Sequence, residues 1–208
     1  MPKQSTNYDD GSNIIAAARA GDRATLSALL ASGSHLPNGQ YRHLALCVAA
    51  RLGHGPCIEL LISGSDPKCE DSRALRLAAK HGFSECVRLL IPVSDPKAND
   101  SQALLLAAED GHAECVKALI PVSDPLSTHS APLFKAIACG HSGVVALILA
   151  HDPGLLKLLD VYDSFSAHAT FRHPEVAAVV ASAIELQALS SACAADLPAS
   201  LPANPRRL

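Results

Sequence analysis

The chain has 208 residues, 18% of them charged, and a formal net charge of −3. That length suits one elongated repeat domain with a buried core. The small negative charge excludes a general electrostatic attraction to nucleic acid. No run of about 18 apolar residues occurs, so no spanning helix and no membrane partner are expected.

In chain order, residues 1–12 are polar, lack the apolar run of a secretory signal, and are expected to be disordered. Asn13 stands where a helix N-cap would, ahead of an inner helix that stops at Gly21. Ala24 to Ser32 follows as an outer helix, with Leu26, Leu29 and Leu30 at helical spacing and Gly33 at its end. A loop is expected over Ser34 to Arg42.

The next stretches repeat. Ser72 to Asp100 and Ser101 to His129 match at 17 of 29 positions, and His43 to Asp71 matches the first of them at 14 of 29. A fixed period of that size signals stacked helical units. Each unit carries Ala-Leu, then Ala-Ala, a Gly, Cys followed by Ile or Val, Leu-Ile, and Asp-Pro. Ser72 and Ser101 are read as N-caps, Pro92 and Pro121 as outer-helix terminators, and Asp95-Pro96 and Asp124-Pro125 as tight turns. Ser130 to Ala150 retains Leu133, Ala136, Gly140-His141 and Val144-Val145. Gly154 to Leu159 reads as a short extra helix. A degraded copy then places Phe165 and Ala169 in core columns, and its last helix runs to about Cys193.

These residues resemble an ankyrin repeat in a short variant. Ala74-Leu75, Ala78-Ala79, Gly82, and Cys86-Val87 with Leu89-Leu90-Ile91 follow the family pattern. Gly-His is kept at 53–54, 111–112 and 140–141, and becomes Gly82-Phe83 in the third unit. The period of 29 is shorter than the family's roughly 33, and the missing residues come from the projecting β-hairpin. The resemblance implies an all-α solenoid over 13–194, in units 13–42, 43–71, 72–100, 101–129, 130–161 and 162–194, the last a degenerate cap. A Pro-rich flexible tail follows over 195–208. It also implies that His54, His112, His141 and His173 are structural, each bonding backbone between units.

The seven cysteines are an odd number, and Cys57, Cys86 and Cys115 occupy one apolar column, 29 residues apart. Stacked helices stand about 10 Å apart, beyond the roughly 7 Å reach of a disulfide. They read as small buried hydrophobes in a reducing cytosol.

No Cys-x-x-Cys pair, phosphate loop or nucleophile elbow occurs, so no metal or cofactor is expected from local motifs. Cys139, His141, His168 and His173 are the residues an unrecognised hydrolase or transferase site would use, though no orienting carboxylate accompanies them. What varies between copies is the inner-helix surface: Arg51, Lys80-His81 and Glu109-Asp110 in one region, Arg73 and Gln102 in a second column, Arg76, Leu105 and Phe134 in a third. Core constancy beside surface variation points to a monomeric, non-enzymatic module that binds another protein on the concave face. Arg76, His81 and Phe134 are the first candidate anchors. The same face would serve a bacterial inhibitor or immunity protein, or an effector delivered into a host cell.

Overall fold

The computed structural model describes residues 6–32, 40–161 and 172–195. Inner helices α1 (Thr6–Ala20), α3 (Gln40–Leu52), α5 (Cys69–Lys80), α7 (Ala98–Glu109) and α9 (Ser127–Cys139) pack one on the next. Outer helices α2 (Arg23–Ala31), α4 (Gly55–Ile62), α6 (Ser84–Leu90), α8 (Ala113–Leu119) and α10 (Ser142–His151) form a parallel row behind them. A 3-10 turn, Pro153–Leu155, leads into α11 (Leu156–Val161), and α12 (Pro174–Ala195) packs against α10. The described residues hold no strand, so the chain is an all-α solenoid.

The core lies between the two rows. Leu75, Ala78 and Ala79 of α5 and Leu104, Ala107 and Ala108 of α7 are fully buried, as are Val87, Leu90, Val116 and Leu119 behind them. Alanine at two adjacent positions lets the inner helices approach closely, and leucine fills the space to the outer row. Cys57, Cys86 and Cys115 are buried and unpaired, in agreement with the column reading.

Each inner helix stops at a glycine with positive φ, between +69° at Gly21 and +80° at Gly140. The next N–H reaches back five residues, as in His112 N to Ala107 O at 2.9 Å and His141 N to Ala136 O at 2.9 Å. That is a Schellman closure, which an L side chain disfavours at the left-handed position.

The shortened turn between units is built from two pieces. The Asp of each Asp-Pro pair accepts from the backbone two residues on: Asp66 from Lys68, Asp95 from Lys97 and Asp124 from Leu126, at 3.0, 3.0 and 2.9 Å. Three consecutive left-handed residues then follow, Glu70-Asp71-Ser72 (φ 51–56°) and Asn99-Asp100-Ser101 (φ 50–58°). Asp and Asn tolerate this region better than most side chains. One left-handed turn thus stands where a hairpin would project.

The same turn corrects the reading of Ser72 and Ser101 as N-caps. Both are buried, and each Oγ accepts from the Asp in the turn that ends its own unit: Asp95 N at 2.8 Å and Asp124 N at 2.9 Å. Each hydroxyl ties the foot of an inner helix to the turn that closes the same unit instead of capping an N–H of its own helix. Two helix starts also differ from expectation. α1 begins at Thr6, so Asn13 lies inside the helix and 6–12 is not a disordered segment. α3 begins at Gln40, so the expected loop to Arg42 ends three residues sooner. α12 runs on to Ala195. The expectations for 1–5, 33–39, Phe165, Ala169 and the tail beyond 195 lie outside the described residues.

Candidate functional site

The Gly-His pairs place a ladder of rings behind the inner face. A Cβ added at Gly82 would stand 2.6 Å from the His112 ring, and one at Gly111 would stand 2.5 Å from His141. Glycine is therefore required both for φ and for room. The His112 Nε2 bonds Lys80 O at 2.9 Å, His141 Nε2 bonds Glu109 O at 2.9 Å, and His54 Nε2 bonds Arg19 O at 3.2 Å. Phe83 keeps the ring over Gly53 but has no donor for this bond.

This arrangement engages two of the four residues of the alternative enzyme site. His141 is engaged with the neighbouring backbone, and His173 lies against Gly140 with Nδ1 3.7 Å from Glu175. Cys139 is exposed, and His168 lies outside the described residues. Among the described residues, Cys139 has no hydrogen bond to His141 or His173.

The ladder fixes the last turn of each inner helix, and with it the variable columns. Arg51, Lys80, His81 and Asp110 are exposed. Glu109 is half-buried and pairs with Lys135 at 2.7 Å, which raises the Lys135 ammonium above its ordinary range. Arg73 is exposed and hydrogen-bonds Glu70 at 2.6 Å; that bond lowers the Glu70 carboxyl and raises the Arg73 guanidinium.

Arg76, one of the candidate anchors, is held by bonds within the stack. It is half-buried, and its Nη1 donates to Gln102 Oε1. Its Nη2 donates to Glu70 O at 2.8 Å. Gln102 Oε1 also accepts from Asn99 Nδ2 at 2.6 Å. The guanidinium therefore joins α5 to α7 and steadies the left-handed turn. Leu105 and Phe134 are half-buried, and Phe134 packs against the core.

A different group of side chains, which local motif reading missed, meets at the α3–α5 junction. The ligand-type atoms of His43, Cys69 and Glu70 all lie within 4.8 Å of one another. Cys47 Sγ is 3.5 Å from His43 Nε2. Burial pushes the Cys47 thiol up to about 11.

A search of curated proteins finds no match. The family model for three copies of the ankyrin repeat matches residues 14–100 and 75–157, which spans the helix pairs, the closing glycines and the ring ladder just described. With the two rows of helices following that pattern from α1 to α10, the chain belongs to the ankyrin-repeat family.

Proposed function

We propose that the chain is a non-enzymatic, monomeric module that binds another protein through the concave face of its inner helices. Ankyrin repeats are generally protein–protein interaction modules. The observation that carries the choice of face is the contrast at the end of each inner helix. Ala49-Ala50, Ala78-Ala79 and Ala107-Ala108 are constant and buried, while Arg51-Leu52, Lys80-His81 and Glu109-Asp110 just beyond them vary and reach the surface. Packing dictates the first set and leaves the second free to suit a partner.

Among the described residues neither Arg51 nor Lys80 enters an ion pair, Lys135 offsets Glu109, and Asp110 is the one exposed acid beside them in these columns. The free charge on this face is therefore mainly basic, which favours an acidic patch on the partner. Arg73, Arg76, Gln102 and Leu105 lie at its back, and Phe134 gives it an apolar end. The unpaired cysteines support a reducing compartment such as the cytosol.

The test is capture of a partner by the wild type, by the inner-face variant R51E/K80E/H81E, and by the outer-helix variant K117E, with folding checked by circular dichroism. Loss of the partner with the inner-face variant alone is expected. Full retention by that variant, or loss confined to K117E, would move the interface elsewhere and overturn the proposal.

A further inference from the structure

The His43 cluster departs from the repeat at four positions together. In the next unit the columns of His43, Cys47, Cys69 and Glu70 hold Ser72, Arg76, Ala98 and Asn99. Three of those residues hold the repeat together: Ser72 ties to Asp95, Arg76 to Gln102, and Asn99 to the same glutamine. At the earlier junction all four are replaced by metal-ligating types. The change is coordinated along one unit, from its inner helix to the turn that ends it, His43 and Cys47 lying on α3 and Cys69 and Glu70 on the turn into α5. No packing requirement of the repeat calls for it.

A second observation is the state of the His43 ring. The side chain is 6% exposed, its Nε2 points at Cys47 and lies 3.9 Å from Glu70 Oε1, and its Nδ1 is buried with no hydrogen-bond partner. A buried imidazole left this poorly satisfied beside two thiols and a carboxylate is incomplete as a hydrogen-bonding group. The ring atom that faces the cluster, Nε2, is the one available as a ligand.

We propose that His43, Cys69 and Glu70, with Cys47 drawn in from beside His43 as fourth donor, form a structural zinc site that clamps α3 to α5. Two sulfurs, an imidazole and a carboxylate suit a tetrahedral Zn²⁺ and disfavour the all-oxygen preference of Ca²⁺ and Mg²⁺. Ligand bonds of about 2.0 Å to nitrogen and 2.3 Å to sulfur set a tetrahedral N–S edge of about 3.5 Å. The His43 Nε2 to Cys47 Sγ distance is 3.5 Å. Glu70 is oriented for the task, because its Oε2 is held by Arg73 at 2.6 Å while its Oε1 faces His43. Such outer support is typical of ligating carboxylates. The left-handed φ at Glu70 (51°) is what brings its carboxylate alongside its neighbour Cys69. Binding releases the two thiol protons to solvent as the thiolates coordinate.

The experiment uses the full chain, stripped with a chelator and titrated with Co²⁺, then with Zn²⁺. The key variant, C69A/E70N, borrows the residues that the next unit carries in the same columns, so it is expected to fold, which circular dichroism checks. The wild type should take up one Co²⁺ with a thiolate-to-cobalt charge-transfer band and tetrahedral ligand-field bands, and Zn²⁺ should erase both. The C69A/E70N and H43S variants should bind at least about 10-fold more weakly. C139S should match the wild type. Zn²⁺ should raise the Tm of the wild type and leave that of C69A/E70N unchanged. Absence of a charge-transfer band in the wild type, or a band equally strong in folded C69A/E70N, would overturn the site, as would a band lost only in C139S.

Discussion

Helix α8 is 7 residues long and buries Cys115, Val116 and Leu119, whereas α12 is 22 residues long and leaves Ile184, Leu186 and Leu189 at 51, 68 and 64% exposure. Length does not decide burial here. α8 is flanked by α6 and α10 and backed by α7, while α12 packs chiefly against α10. In a stack of this kind a helix owes its stability to neighbours on both sides, and a helix at the end of the row has only one. Marginal intrinsic stability of short helices makes the same point from the other direction, since a 7-residue helix would not persist alone.

The contrast can be broken most severely at a central leucine. Leu104→Ala should destabilise by about 2–5 kcal/mol, because Leu104 is fully buried between the rows. Leu186→Ala on α12 should change stability by no more than about 0.5 kcal/mol. Urea midpoints of the two variants measure the difference, and similar midpoints would contradict the account.

Glycines sharpen it at the next level. Gly111 has φ +76°, and a Cβ there would meet the His141 ring at 2.5 Å, so Gly111→Ala should cost at least about 1–2 kcal/mol from the backbone alone. Gly143 lies in α10 with nothing near its missing Cβ. Gly143→Ala should instead stabilise by about 0.5–1 kcal/mol. Thermal melts that moved in the same direction would rule this out.

A smaller effect is expected from the tie that closes each unit. Ser101→Ala removes the acceptor of Asp124 N, and about 1 kcal/mol should be lost. Hydrogen exchange at Asp124 should quicken by more than that of the α7 core amides if the tie is local. The gentlest probe leaves the sequence intact. Burial raises the Cys86 and Cys115 thiols to about 11, so both should resist a thiol reagent at neutral pH in the folded state. Cys139 is exposed and should react within the first minutes. Equal labelling of all three would show that the central units open readily.

The period of 29 made the stack legible, because packing between identical units forces the same letters into the same columns. The Asp-Pro turns were legible for a local reason: the Asp side chain bonds a backbone two residues away. Ser72 and Ser101 were misread because their partners lie 23 residues on, and only the left-handed turn aims the hydroxyl there. Arg76 looked like a surface charge because the columns do not reveal that Gln102 of the next helix reaches it. The proposed zinc ligands escaped a search for closely spaced pairs for a similar reason. His43 and Cys69 are separated by a whole helix pair, and the turn brings them together.

The ring ladder has a consequence for how such a chain can grow. Each unit contributes a ring that roofs the glycine before it and a glycine that awaits the ring after it: His112 over Gly82, His141 over Gly111, His173 over Gly140. The fitting is directional, like a row of tiles, and every tile carries both halves of the joint. A duplicated 29-residue segment therefore arrives with its own connections, and neither neighbour has to change a residue to accept it. The 17 of 29 positions shared by 72–100 and 101–129 are what copying of such an interchangeable part would leave behind.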